Sequence, residues 1–213
     1  MENINKELCA KCKGKCCIKS GCDYFVSDFP NINKETITTA LKSGNISIVS
    51  ALKIKTLPSG KKIMTPFLYL RARNIDRDVV DLFSMKKSCS MLTPTGCTYD
   101  EEHRPGGGLN LVPAPNLSCH PLKNPLEEMQ KWEPYQNLLS KIVTRYTGKG
   151  VMTVFKEDVE RVMYEILTQK FNGVSELEIA DITNSFGDLV ECFPEEYERA
   201  KRKANIKPYM LQK

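Results

Sequence analysis

Five cysteines fall between residues 9 and 22: Cys9, Cys12, Cys16, Cys17 and Cys22. Their neighbours are mainly lysine and glycine, with almost no large apolar side chains. A cysteine packed as a small hydrophobe needs apolar company, so burial alone does not account for them. Lysine beside a thiol lowers its pKa and favours the thiolate, the form that binds metal. The Cys9-x2-Cys12 spacing lets two thiolates of one loop converge on an ion or a cluster edge. Cys16 is placed to supply a third corner. Neighbouring side chains point different ways, so the adjacent Cys16 and Cys17 indicate two sites, or one ligand with a supporting thiol.

A second group, Cys89, Cys97 and Cys119, brings the thiols before residue 120 to eight. Eight is the number for two four-thiolate sites, or for one four-thiolate cluster with further thiols around it. Three cysteines cannot finish a tetrahedral site alone. The two groups are therefore expected to meet in space, across a separation of about 70 residues that loop closure tolerates cheaply. His103 and His120 are the two histidines of the chain; with eight thiols available, neither is needed as a ligand. Arg104 is expected to pair with a carboxylate or to hydrogen-bond a cluster sulfur. Asp100, Glu101 and Glu102 read as a solvated turn. Gly106-Gly107-Gly108 lacks the following lysine and serine or threonine of a phosphate loop and reads as a flexible approach to Cys119. No nucleophile elbow or dinucleotide fingerprint is present, and no catalytic residue is assigned.

Composition sets the frame for this chemistry. The chain has 213 residues, 41% hydrophobic and 27% charged, the balance of a soluble globular protein. Its start, Met1-Glu2-Asn3-Ile4-Asn5-Lys6, lacks the apolar core of a signal peptide, and no run approaches the ~20 apolar residues of a membrane span. A cytoplasmic location is expected, where thiols stay reduced and clustered cysteines serve metal rather than disulfides. Nine cysteines cannot all pair in any case. The net charge of +5 is mild. The run Arg199-Ala-Lys-Arg-Lys203 reads as a solvated helix face, and nucleic-acid binding is not indicated.

The elements that must position the thiols divide near residue 120, into a cysteine-cluster region (1–120) and a helical region (121–213), expected as one compact domain. The expected fold is α+β and mainly α: a loop-rich cysteine region with a β-hairpin, packed on a C-terminal helical bundle. Asn33 is placed to cap a short helix through Ser43, stopped by Gly44. Ala51 to Thr56 and Lys61 to Arg73 flank Leu57-Pro58-Ser59-Gly60, a hairpin pattern. Asp76 to Met85 reads as a helix. Asn124-Pro125-Leu126-Glu127 has the cap, first-turn proline and acid of a helix start, and Pro134 is expected to restart or kink that helix. Leu138, Leu139, Ile142, Val143 and Tyr146 recur at helical spacing, as do Val159, Val162, Met163, Ile166 and Leu167. Ser175-Glu-Leu-Glu178 is a capping box for a helix that continues through Phe186, Leu189 and Phe193. Pro194 opens a last helix ending near Asn205. Cys192, at the end of one apolar stripe, reads as a buried thiol.

Taken in order, Cys9-x2-Cys12-x3-Cys16-Cys17 and the later Cys89-x2-Leu92-x4-Cys97-x-Tyr99-x4-Arg104-Pro105 resemble the YkgJ-type cysteine-cluster proteins, described as carrying a zinc- or iron-chelating domain. Flagellin lysine N-methylases resemble the same family and are associated with an iron–sulfur cluster. The resemblance covers residues 9 to 120. The expected metal ligands are the eight cysteines before residue 120, Cys9, Cys12, Cys16, Cys17, Cys22, Cys89, Cys97 and Cys119, of which the matched motifs contain all but Cys22, with Tyr99 and Arg104 expected beside the cofactor. Two features depart from the family pattern. Gly106 to Leu117 intervene before Cys119, and Tyr99 follows Cys97 after one residue instead of two.

The function expected is a cytoplasmic metal-binding protein holding a 4Fe–4S cluster or zinc, in a structural or redox role, with an unidentified protein partner and no membrane. Two alternatives stand beside it. A cluster-dependent protein lysine N-methylase or related modifying enzyme would need a nucleotide or S-adenosylmethionine fingerprint that is not found. A zinc-ribbon nucleic-acid or protein interaction module would need two Cys-x2-Cys knuckles, and Cys9–Cys12 is the single one.

Overall fold

The computed structural model describes residue 11 and residues 22–74, 77–83, 88–94, 96–98, 102–116, 119–170 and 186–205. Cys9, Cys12, Cys16, Cys17, Tyr99 and the capping box at Ser175 lie outside the described residues.

The fold mixes helix and sheet, as an α+β chain should. Helix α1 spans Lys34–Lys42. Asn33 caps it, its side-chain oxygen accepting from Thr36 N at 3.0 Å, and Gly44 ends it at φ +85°. Strands β1 (Ile46–Thr56) and β2 (Lys62–Ala72) then form the expected antiparallel hairpin around Gly60, which sits at φ +80°. Strand β1 starts at Ile46, ahead of the alternating pattern that begins at Ala51. Its first four residues are all buried, so they read as a run rather than as an alternation.

Both outer edges of the hairpin are closed by short pieces of chain. Beyond β1, Ile48 N donates to Val79 O at 2.7 Å and Asp81 N to Ile48 O at 3.0 Å, a parallel bridge at Val80. The helix expected over Asp76 to Met85 is therefore not formed across 77–83. The β-branched Val79-Val80 pair fits beside a strand, and the N–H groups of Leu82 and Phe83 go to Asp158 Oδ2 at 2.8 and 3.3 Å. Beyond β2, the side-chain amide of Gln136 imitates a strand residue. It accepts from Leu68 N at 2.8 Å and donates to Leu68 O at 2.7 Å. Pro66, two residues away, presents no donor on that edge.

Only short elements are described between the hairpin and Asn124. They are strands β3 (Leu92–Thr93) and β4 (Gly96–Cys97), helix α2 (Gly106–Leu109), and strands β5 (Leu111–Pro113) and β6 (Cys119–Pro121). The later helices follow their expected signals. Helix α3 (Pro125–Gln130) is capped by Asn124, and a 3-10 turn at Glu133–Tyr135 carries Pro134. Helices α4 (Gln136–Thr147) and α5 (Val151–Thr168) come next, then a helical stretch at 186–192 and helix α6 (Pro194–Lys203). Leu139, Ile142, Val143, Val159, Val162 and Met163 are buried, whereas Tyr146 is exposed. One buried cluster joins Leu68 and Leu70 of β2 to Trp132, Leu139 and Phe155, so residues from both sides of position 120 share a core. Each such side chain contributes roughly 1.5–3 kcal/mol on burial. No helix among the described residues is long and apolar enough to cross a membrane.

Candidate metal centre

Two of the thiols that the structure describes, Cys22 and Cys89, are carried by segments that pair with the end of β2 and the residues after it. Residues 22–24 lie along the outer edge of β2: Tyr24 N donates to Leu70 O at 2.9 Å and Ala72 N to Cys22 O at 2.8 Å. The chain leaves β2 through Arg73 and Asn74, and Cys89 forms an antiparallel bridge with Asn74, with Ser90 N donating to Arg73 O at 2.8 Å. Cys22 and Cys89 thus attach two residues apart along one stretch, Cys22 on the outer edge at Ala72 and Cys89 at Asn74, next to Arg73, whose N–H donates to Asn45 O at 2.7 Å. Both are buried, at 5% and 1% exposure. The Cys89 sulfur accepts from Met91 N at 3.5 Å.

Cys97 sits on a small hairpin that grows from Cys89. Leu92 N donates to Cys89 O at 3.0 Å, and β3 pairs with β4, putting Cys97 opposite Leu92. Cys119 sits on another. Helix α2 leads into β5, which pairs with β6, putting Cys119 opposite Pro113. Buried Asn110 pins this hairpin: its side chain donates to Lys123 O at 2.9 Å and accepts from Lys123 N at 2.7 Å. Cys97 and Cys119 are half-buried. Both histidines are exposed.

The three glycines are not a flexible approach to Cys119. They form α2, pressed against residues 22–28. Gly107 N donates to Asp23 O at 2.9 Å, and Gly106 N donates to Asp28 Oδ2 at 2.7 Å. A Cβ on Gly107 would stand 2.6 Å from Asp23 O, and one on Gly106 2.6 Å from the Phe25 ring. The physical reason is close approach: only a residue without a side chain lets this helix reach the segment that carries Cys22.

The charges that hold this segment are not among the residues singled out by the cysteine spacings. Arg71 Nε donates to Asp23 Oδ1 at 2.7 Å, and Arg71 Nη2 donates to Tyr69 Oη at 2.8 Å. The signal was present, since Arg71 interrupts the apolar run from Phe67 to Ala72, and a buried charge needs a partner. Asp28, an exposed residue, also holds this segment. Its Oδ2 takes both Gly106 N and Phe25 N, the latter at 2.8 Å. Burial raises its pKa above the ordinary value of 3.8, and the two N–H groups oppose that rise.

Among the described residues, no three of histidine, cysteine, aspartate and glutamate gather closely enough to hold a metal ion, and no disulfide joins the described cysteines. A centre that uses Cys22 or Cys89 must therefore draw further ligands from outside the described residues. The cysteines there, Cys9, Cys12, Cys16 and Cys17, offer soft thiols, which suit zinc and iron–sulfur clusters. Cys192 belongs to different surroundings: burial, then Glu191 and Asp188, push its thiol up and away from the thiolate form.

No protein-family model, curated protein or solved structure matches this chain. The resemblance to YkgJ-type proteins rests on its cysteine, tyrosine and Arg-Pro spacings alone.

Proposed function

We propose that this protein binds metal through its clustered cysteines, as zinc or as a 4Fe–4S cluster, in a structural or redox role in the cytoplasm. The observation that carries the reading is the attachment of Cys22 and Cys89 to Ala72 and Asn74 at one strand end. Cys22 closes the N-terminal cysteine run and Cys89 opens the later group, so the two sequence clusters have their nearest members on one piece of backbone. Cys9, Cys12, Cys16 and Cys17 would supply the remaining thiolates, with Cys97 and Cys119 brought by their hairpins. Bound metal would tie these loops together, and its binding energy would then be folding energy. The loop-rich half would form the metal region and the helices its support.

Anaerobic purification with elemental analysis and a visible spectrum tests this. Iron with acid-labile sulfide and a broad visible band would identify a cluster; stoichiometric zinc without colour would identify zinc. Replacing Cys12 with serine should sharply lower the bound metal. A reduced, folded protein that holds neither metal would sink the proposal.

A further inference from the structure

The sulfur of Cys22 and the side chain of Arg104 meet beside one glycine. A Cβ on Gly108 would lie 2.9 Å from Cys22 Sγ, 3.2 Å from Arg104 Cγ and 3.3 Å from Arg104 Cδ. The next atom of that arginine, Nε, is buried and has no hydrogen-bond partner among the described residues. A buried donor left unmade costs about 1–3 kcal/mol, and more when it is charged. Packing does not explain why that cost is carried, and no described carboxylate takes this Nε. The neighbouring arginine, Arg71, is already engaged by Asp23 and Tyr69.

We propose that Arg104 is a positioning residue of the thiolate centre: its Nε–H, which has no partner among the described residues, Cys22 Sγ included, would turn to donate to that sulfur once metal is bound. This rests on the metal-binding function proposed above. An all-thiolate centre carries excess negative charge, and its sulfurs accept hydrogen bonds that fix ligand orientation. A guanidinium beside Cys22 supplies both a positive charge and a directed donor. Gly108, having no side chain, keeps the space between sulfur and arginine free.

The test uses the reduced full-length protein, titrated anaerobically with cobalt(II). The thiolate-to-metal charge-transfer band is read, and competition with zinc gives the affinity. Arg104→Gln should weaken binding by about 10- to 100-fold, the usual cost of losing a residue that supports a ligand, and should shift the band. Arg104→Lys keeps the charge without the Nε–H and should recover only part of the loss. Gly108→Ala should weaken binding to a similar degree. If the wild type gives the band while both Arg104 variants bind within about twofold of it, this inference alone is overturned. If Arg104→Gln fails to fold, wild-type affinity in Arg104→Lys overturns it equally. If the wild type gives no band at all, the metal-binding function fails and this inference falls with it.

Discussion

Gly107→Ala probes the contact on which the placing of Cys22 depends. Its new methyl would stand 2.6 Å from Asp23 O and 2.9 Å from Asp23 N, both backbone atoms, so no rotamer change relieves it. Helix α2 must back away, and the 2.9 Å bond from Gly107 N to Asp23 O goes with it. Overpacking of this kind costs about 1–3 kcal/mol. The lost hydrogen bond adds about 0.5–1.5 kcal/mol. We therefore expect a loss of about 2–4 kcal/mol, a large part of a typical total of 5–15 kcal/mol. The single tryptophan is the natural reporter. Trp132 is fully buried, and its Nε1 donates to Tyr24 O at 3.0 Å, one residue beyond Asp23. Urea unfolding followed by its fluorescence reads the docking of residues 22–24 together with global stability. Gly187→Ala is the control: nothing lies within 4 Å of its added Cβ, and it lies within the helical stretch 186–192. That variant should gain about 0.5–1 kcal/mol from the helix preference of alanine. A Gly107→Ala protein within about 0.5 kcal/mol of wild type would refute the close-approach argument, since surface changes without such contacts stay within that margin.

Further expectations follow from single residues. Gln136→Ala strips both bonds from Leu68, whose backbone is buried, and should cost about 2 kcal/mol with faster hydrogen exchange at the Leu68 amide. An unchanged exchange rate there would rule out the amide as an edge cap. Asp28→Ala leaves Gly106 N and Phe25 N without their acceptor and should cost about 2 kcal/mol, whereas Asp28→Asn keeps an oxygen for both. Because the folded state raises the Asp28 pKa, it holds that proton more tightly than the unfolded chain. That proton-linked part of its contribution is thus fully present below the ordinary 3.8 and is lost as pH rises through the folded value, while the bonds from Gly106 N and Phe25 N to Oδ2 remain. Asp28→Asn should flatten that slope in pH-dependent melts, and an identical slope would show that Asp28 is not its source. Cys192→Ala should keep full metal content, because its thiol is pushed away from the thiolate form and its neighbours are Asp188 and Glu191; metal loss on elemental analysis would contradict that.

Features written in local chemistry were legible in the sequence. Asn33 and Asn124 announce helices because their side chains cap the very next turn, and Leu57-Pro58-Ser59-Gly60 announces the hairpin because Gly60 needs its positive φ. Features set by distant partners were not. Residues 77–83 carry an ambiguous pattern, and the outcome is decided by the free edge at Ile48 and by Asp158, more than seventy residues away. The glycines of α2 looked like slack chain because their neighbours in space, Asp23 and Phe25, are some eighty residues earlier. For the candidate site, spacing grouped the cysteines, and the lone arginine of an apolar run marked Arg71, but its partner Asp23, 48 residues earlier, and the bond from Gly106 N to Asp28, 78 residues apart, leave no local trace.

Gln136 has a consequence for how the chain is made. The β1–β2 hairpin is local and can close within microseconds of leaving the ribosome. The side chain that covers Leu68 comes 68 residues later. At 5–20 residues per second, synthesis of that interval takes roughly 3–14 s, during which the nascent hairpin shows an unpaired edge. Pro66 already blocks one donor position on it, and Lys62 places a charge near its tip. The newborn chain therefore carries its own protection against sticking to its neighbours until its second half arrives.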